Sequence, residues 1–126
     1  MQADRFTIKS QEALAAAQRL AGARRNPEVA PVHLLLALLE QEGGIVVPVL
    51  NRAGADPERT RRLANEAADQ LPTVTGEASA TPALGSALID LLKRADDEAR
   101  GLGDEYVSTE HLLLALAADP KVDAGA

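Results

Sequence analysis

The 126-residue chain has a mass of 13.2 kDa, which suits one domain with a hydrophobic core and is too small for two domains of ordinary size. Its residues are 46% hydrophobic and 25% charged, and this balance excludes a disordered chain. Alanine and leucine dominate, with 25 and 19 residues, whereas the chain has one Phe, one Tyr and no Trp. Because Ala and Leu favour helices, the composition predicts an all-α fold.

The charge and the cysteine content restrict the partners and the compartment. A formal net charge of −6 argues against a nucleic-acid partner, because phosphate contacts need a basic face. The chain has no cysteine, its first residues lack the pattern of a signal peptide, and no apolar run is long enough to span a membrane. The sequence therefore predicts a soluble, cytoplasmic protein without a membrane partner.

The first predicted unit, residues 1–71, contains four helices. Thr7 is the predicted N-cap of the first helix, and Pro31 suits the first position of the second. The second helix is predicted to carry one broad apolar face, formed by Leu34, Leu35, Leu38 and Leu39. A short third helix is either kinked or started by Pro48, and Asp56 is the predicted N-cap of a fourth helix.

The rest of the chain is predicted to form a linker, an incomplete second unit and a tail. Residues 72–83 mix Pro, Gly, Ser and Thr without a period, which indicates a linker. Residues 84–118 have the pattern of two more helices, the second of them capped by Ser108 or Thr109. Residues 119–126 are predicted to be a frayed tail.

The two units are related by an internal duplication at an offset of 78 residues. The segment Val29–Leu38 returns as Val107–Leu116, and ten of the 37 positions from 6 to 42 are identical to their counterparts. The fold prediction is therefore an all-α, pseudo-twofold duplicated repeat: a four-helix unit and a second unit truncated after two helices. We expect this truncation to uncover leucines on the sixth helix, namely Leu112, Leu113 and Leu116.

Catalytic and metal-binding patterns are scarce. His33 and His111 occupy equivalent places, so they either share a metal site or each bond local backbone groups, and the second interpretation is favoured because no third ligand is duplicated with them. The acidic run 96–98 is predicted to be a solvated helix face. The chain has neither a phosphate-binding glycine loop nor a Gly-x-Ser-x-Gly motif. The sequence predicts no catalytic residue, no cofactor and no metal.

Positions that are apolar in only one unit are candidates for a binding surface. In the gap-free alignment Leu88 faces Ser10, Ile89 faces Gln11, Leu102 faces Arg24 and Tyr106 faces Glu28. One interpretation is a shallow apolar groove around the fifth and sixth helices that includes Leu88, Ile89 and Tyr106, with Glu110 as a polar anchor at its rim. The alternative is that these side chains bury one another or contact the linker.

Three segments carry a resemblance to a known family: 6–14 (FTIKSQEAL), 31–40 (PVHLLLALLE) and 103–113 (GDEYVSTEHLL). Over residues 5–118 the chain resembles the Clp N-terminal domain, a double-repeat helical module at the front of Clp unfoldases. The segment 71–76 looks more like the ClpB disaggregase branch than the protease-linked ClpC branch.

The resemblance implies a docking module for unfolded or aggregated polypeptides, joined to the AAA+ motor of a ClpB-type ATP-dependent disaggregase. It also implies that Thr7, Asp104 and Glu110 take part in substrate handling. The resemblance is incomplete at Val32, where the ClpC branch has a glutamate, and at Gly85, the counterpart of Thr7, so phosphoarginine recognition is not expected. The alternative function is a stand-alone regulator, or an adaptor-docking module of a ClpC-type protease ATPase.

Overall fold

Helices account for most of the structure. The computed structural model describes residues 3–75 and 81–119. Its elements, after a 3-10 turn at Ala3–Arg5, are α1 (Ile8–Ala23), β1 (Glu28–Val29), α2 (Pro31–Glu40), α3 (Val46–Arg52), α4 (Pro57–Asp69), β2 (Ala83–Leu84), α5 (Ser86–Gly101) and α6 (Thr109–Ala118). Across these two ranges, every helix is too short or too polar to cross a membrane.

The all-α class and the internal duplication are confirmed. α1 and α5 each have 16 residues, and α2 and α6 each have 10. α1 packs on α2 as α5 packs on α6, and α3 and α4 also pack on α2. The helix α2 is therefore central, and residues 31–39 are all buried. The prediction of a single apolar face on α2 is too narrow, because neighbours surround this helix.

Two reciprocal strand contacts join the repeats. Val29 of β1 pairs in parallel with Leu84 of β2, and Val107 forms a parallel bridge with Phe6. The offset of 78 converts one contact into the other, since it takes Val29 to Val107 and Phe6 to Leu84. The sequence did not predict these strands, because two residues are too few to show the alternation that indicates a strand.

The helices begin at the capping residues that the sequence predicts. Thr7 is the N-cap of α1, and its side chain accepts a backbone N–H of the first turn at 3.1 Å. Asp56 caps α4 in the same way at 3.0 Å, and Ser108 is the N-cap of α6. Pro48 lies in the first turn of α3, where its missing N–H leaves no helical bond unmade.

The predicted linker begins against the first repeat. The backbone N–H of Val74 donates to the carbonyl of Arg25 at 2.8 Å, and the side-chain amide of Asn26 donates to the carbonyl of Pro72 at 2.9 Å. The last linker residue, Ala83, lies in β2. Residues 76–80 of the predicted linker lie outside the described residues.

The first residue of the predicted tail, Asp119, is buried. Its carboxylate is 3.2 Å from a guanidinium nitrogen of Arg94 on α5, and its backbone N–H donates to the carbonyl of Leu116 at 3.1 Å. The prediction of a frayed tail is wrong at this residue, because the ion pair and the bond to the end of α6 hold it. Residues 120–126 lie outside the described part of the chain.

The exposed face of α6 differs from the predicted one. Leu112 and Leu116 are buried, and Leu113 is half-buried, so the prediction that these leucines lose their cover is wrong. Leu114 is instead 50% exposed, whereas its counterpart Leu36 on α2 is 3% exposed. α4 packs on α2, and within residues 81–119 no helix follows α6 to pack on it in the same way.

Candidate functional site

The loop that joins α5 to α6, residues 102–108, lies beside the start of α1. The N–H of Val107 donates to the carbonyl of Arg5 at 2.7 Å, and the N–H of Thr7 donates to the carbonyl of Val107 at 3.1 Å. These bonds place two residues from the predicted site, Thr7 and Tyr106, on either side of one strand bridge. Asp104 lies two residues before Tyr106 in the same loop.

The Thr7 hydroxyl makes two hydrogen bonds within the protein, both to Ser10. It accepts the N–H of Ser10 at 3.1 Å and donates to the Ser10 hydroxyl at 3.0 Å. The Ser10 hydroxyl in turn donates to the carbonyl of Val107 at 2.9 Å. Thr7 is half-buried, so these contacts give it a structural role: it caps α1 and fixes the α5–α6 loop against it.

Asp104 is held in place by His111. Nδ1 of His111 accepts the backbone N–H of Ser108 at 2.9 Å, so the ring proton is on Nε2, which donates to Oδ2 of Asp104 at 2.8 Å. The aspartate side chain is 50% exposed, whereas the histidine side chain is 7% exposed. One carboxylate oxygen of Asp104 is therefore fixed, and the carboxylate faces solvent in a defined orientation.

The first repeat contains the same arrangement with an amide in place of the carboxylate. Nδ1 of His33 accepts the N–H of Ala30 at 2.8 Å, and Nε2 lies 2.8 Å from Oδ1 of Asn26. Burial, with a smaller contribution from the positive charge of Arg24, lowers the pKa of His33 below 6.5. Both histidines bond local backbone groups, as predicted, and no group of three metal-ligating side chains occurs among the residues described.

Arg5 connects the N-terminus to α5 and to the loop. Its guanidinium lies 2.7 Å from Oδ1 of Asp96 and donates to the carbonyl of Glu105. The hydrogen bond from Arg5, helped by one from Arg100, lowers the pKa of Asp96. The predicted solvated face at 96–98 is thus wrong for Asp96. Sequence reasoning missed this pair because its members are 91 positions apart.

Leu88 is not a surface residue. It is 0% exposed, and so is its counterpart Ser10. Ser10 is a core residue whose hydroxyl donates to the carbonyl of Val107, so a serine at the equivalent position does not indicate exposure. The prediction that Leu88 lines a groove is therefore wrong.

The remaining apolar candidates lie at opposite ends of α5. Ile89 is half-buried in the first turns of α5, and Leu102 is the C-cap. At a rise of 1.5 Å per residue the two are separated by about 20 Å along the helix. Leu102 and Tyr106 are 63% and 52% exposed, and Glu110 is exposed in the first turn of α6. We call Leu102, Asp104, Tyr106 and Glu110 the loop surface.

The loop surface belongs to the acidic repeat. Residues 84–119 contain eight acidic and three basic side chains, whereas residues 1–71 contain nine of each. The negative net charge of the chain is therefore concentrated in the second repeat, which also carries the two exposed apolar side chains of the loop. This arrangement matches a ligand with both apolar and basic groups.

The sequence comparisons match the chain to one family of domains. A family model described as the Clp repeat (R) N-terminal domain matches residues 5–126. The Chaperone protein ClpB of Propionibacterium freudenreichii subsp. shermanii is 44% identical over 117 residues, which are 93% of this chain and 14% of that protein. The Chaperone protein ClpB of Corynebacterium diphtheriae is 46% identical over 111 residues, which are 88% of this chain and 13% of that protein. The chain thus spans about a seventh of these relatives.

Solved structures share the fold. The Hsp104 N-terminal domain from Candida albicans matches with a TM-score of 0.84 at 22% identity, over 95% of this chain and 78% of that one. The N-terminal domain of the ClpV1 ATPase from E. coli matches with a TM-score of 0.81 at 29% identity, over 94% and 71%. A ClpV N-domain in complex with a VipB peptide matches with a TM-score of 0.74 at 24% identity, over 96% and 76%.

Proposed function

Because the chain belongs to the Clp repeat (R) N-terminal domain family, we propose that it is the polypeptide-docking module of a ClpB-type ATP-dependent disaggregase. In this role it binds unfolded or aggregated polypeptides and delivers them to an AAA+ motor in the same parent protein. The module itself is not catalytic. The high identity to two ClpB chaperones supports the ClpB branch, and the ClpV N-domain solved with a VipB peptide is a precedent for peptide binding on this fold.

The observation that carries the docking role is the exposure of Leu102 and Tyr106. Their counterparts in the first repeat are Arg24, which forms an ion pair with Asp69 on α4 at 2.8 Å, and Glu28. The second repeat thus presents two apolar side chains where the first has charged ones. A small, open apolar surface of this kind suits weak binding of flexible chains, since each bound chain loses conformational freedom.

The test measures binding of a permanently unfolded, fluorescently labelled protein to the 126-residue chain. The double variant Leu102→Ser with Tyr106→Ser is expected to weaken binding at least about fivefold, because it removes the apolar contacts. The matched control is Leu114→Ser, which removes an equally exposed leucine from α6 outside the loop surface. Circular dichroism establishes that each variant is folded.

Two outcomes contradict the proposal. One is that the wild-type chain does not bind unfolded protein. The other is that the loop double variant binds as well as wild type while Leu114→Ser does not, which would move the docking surface to α6. Binding of a folded Clp subunit in place of the unfolded protein supports the regulator alternative.

A further inference from the structure

The start of the linker lies against the loop between α1 and α2. The backbone N–H of Val74 donates to the carbonyl of Arg25 at 2.8 Å, and Nε of Arg25 donates to the carbonyl of Val74 at 3.1 Å. The side-chain amide of Asn26 donates to the carbonyl of Pro72 at 2.9 Å. We call residues 72–74 the strap. Two of its three residues are exposed and the third is half-buried, so its attachment depends on these hydrogen bonds more than on apolar contacts.

A chain of hydrogen bonds leads from the strap into the core through Asn26 and His33. Nδ1 of His33 accepts the N–H of Ala30 at 2.8 Å, so the ring proton is on Nε2, which donates to Oδ1 of Asn26 at 2.8 Å. Because Oδ1 of Asn26 faces the ring, its amide nitrogen faces Pro72. Asn26 and His33 are only 3% and 0% exposed. Neutral His33 therefore fixes which end of the Asn26 amide meets the strap.

A second proton on His33 is incompatible with this chain of bonds. The proton comes from solvent and enters at Nδ1, where the new N–H points at the N–H of Ala30, so that two donors face each other. Burial and the positive charge of Arg24 also disfavour the charged ring and lower the pKa of His33. The charged ring is therefore more stable where water solvates it. A ring that turns towards water withdraws its Nε2 proton from Asn26, whose amide is then free to rotate away from Pro72.

The charged groups around this end of α2 do not compensate a proton on His33. Arg24 is positive, and its partner Asp69 on α4 already lies 2.8 Å from its guanidinium. Arg25 and Glu28 are exposed in the loop and in β1. Apart from four bonded side chains, the titratable groups on α2 itself and on the helices packed against it are exposed; the four are Arg24, Arg61, Asp96 and His111, with their partners Asp69, Glu58, Arg5 and Asp104.

The equivalent histidine of the second repeat has two groups that accommodate a proton. The Ser108 hydroxyl lies 3.1 Å from Nδ1 of His111 and accepts a proton bonded there, and the Asp104 carboxylate has the charge opposite to that of a protonated ring. The counterparts in the first repeat are Ala30, which has no hydroxyl, and Asn26, which is neutral. The incompatibility with a proton therefore belongs to the first repeat.

We infer that the strap is released by acid, with His33 as the switch. Neutral His33 holds residues 72–74 on the first repeat through Asn26, and protonated His33 releases them while the helices stay folded. The far end of the linker stays attached, since Gln18 donates to the carbonyl of Pro82 at 2.9 Å and β2 pairs with β1. This device does not depend on the docking function proposed above.

The experiment places a nitroxide spin label on the strap of the full chain. Because the chain has no cysteine, Thr73→Cys gives one attachment point on an exposed residue, and Ala67→Cys gives a control point on α4. On acidification from about pH 7.5 to about pH 5, the rotational correlation time of the label at position 73 is expected to fall at least about threefold, since a released segment moves within nanoseconds. The label at position 67 and the far-UV circular dichroism are expected to stay unchanged.

Ala30→Ser is the decisive variant, because it gives the first repeat the hydroxyl of Ser108 at an N-cap position that suits serine. Its hydroxyl accepts the Nδ1 proton, so the acid-induced change in mobility is expected to shrink at least about threefold. Asn26→Asp removes the donor to Pro72, and the strap is expected to be mobile already at about pH 7.5. The control is Asp69→Asn, which removes the titratable partner of Arg24 and is expected to release the strap as the wild type does.

Four results overturn the inference. The first is a label at position 73 whose mobility does not change with pH, and the second is release that is undiminished in Ala30→Ser. The third is a strap that stays immobile in Asn26→Asp, which would mean that Asn26 does not hold it. The last is a label at position 67 that becomes mobile at the same pH, because the release would then be part of global unfolding.

Discussion

Replacement of Leu88 by alanine is expected to lower the free energy of unfolding by about 2–5 kcal/mol. Leu88 is 0% exposed on α5, and its neighbours on the same helix face, Leu91, Leu92 and Ala95, are equally buried. Removal of a buried leucine side chain costs its transfer free energy and leaves a cavity, which together amount to about 2–5 kcal/mol. Because a small domain is stable by only about 5–15 kcal/mol, this is a large share of the total.

The assay is urea unfolding followed by far-UV circular dichroism, since the chain has no tryptophan. With a slope of about 1–3 kcal/mol per molar urea, the midpoint of Leu88→Ala is expected to fall by about 2 M. Leu102→Ala is the control, and its loss is expected to be below about 0.5 kcal/mol, because the side chain is mostly exposed. If Leu88→Ala unfolds at the wild-type midpoint and loses binding to unfolded protein, Leu88 is a docking residue and the burial argument is wrong.

The other predictions concern acid stability, the N-terminal ion pair and Ile89. Because the pKa of folded His33 lies below 6.5, the unfolded chain binds more protons than the folded one as the pH falls, and the free energy of unfolding decreases from about pH 7.5 to about pH 5.5. His33→Gln is expected to reduce this pH dependence. If the urea midpoint of the variant depends on pH as that of the wild type does, His33 is not its source. Arg5→Ala is expected to raise the pKa of Asp96 towards its ordinary value in an NMR titration, and a pKa that does not move would mean that Arg5 is not its main cause. Ile89→Gln is expected to cost about 1 kcal/mol in urea unfolding and to leave client binding unchanged, since Ile89 is half-buried and about 20 Å from Leu102; a loss of binding would extend the docking surface along α5.

Local signals in the sequence were sufficient to predict the helices. Thr7, Pro31 and Asp56 mark helix starts because each satisfies a requirement of the first turn that does not depend on distant residues. The duplication at an offset of 78 predicted that His33 and His111 have equivalent roles, and the structure gives both the same bonds to local backbone. These predictions succeed because each helix start and each histidine bond depends only on residues a few positions away in the sequence.

Contacts between the repeats could not be predicted in the same way. The Arg5–Asp96 pair and the Phe6–Val107 bridge depend on how the repeats meet, and neither residue of a pair contains information about the other. Polarity also failed as a guide to burial. Ser10 is as buried as a core leucine, because a backbone carbonyl accepts its hydroxyl proton and removes most of the cost of burial.

The two loops of the duplication differ at the positions that decide whether a segment is bound within the chain. A positive φ is strained for arginine and not for glycine, so Arg25 carries a cost of about 1 kcal/mol that Gly103 avoids. The Arg25 side chain offsets that cost by holding Val74, and Asn26 adds a donor for Pro72. In the second loop, Gly103 adopts the positive φ without strain but has no side chain that could hold a segment. Asp104 has a charged carboxylate where Asn26 has an amide donor. With Tyr106 in place of Glu28 as well, the second loop lacks the arginine and the amide donor that hold residues 72–74 in the first loop, and it exposes an aromatic side chain where the first loop has a charged one.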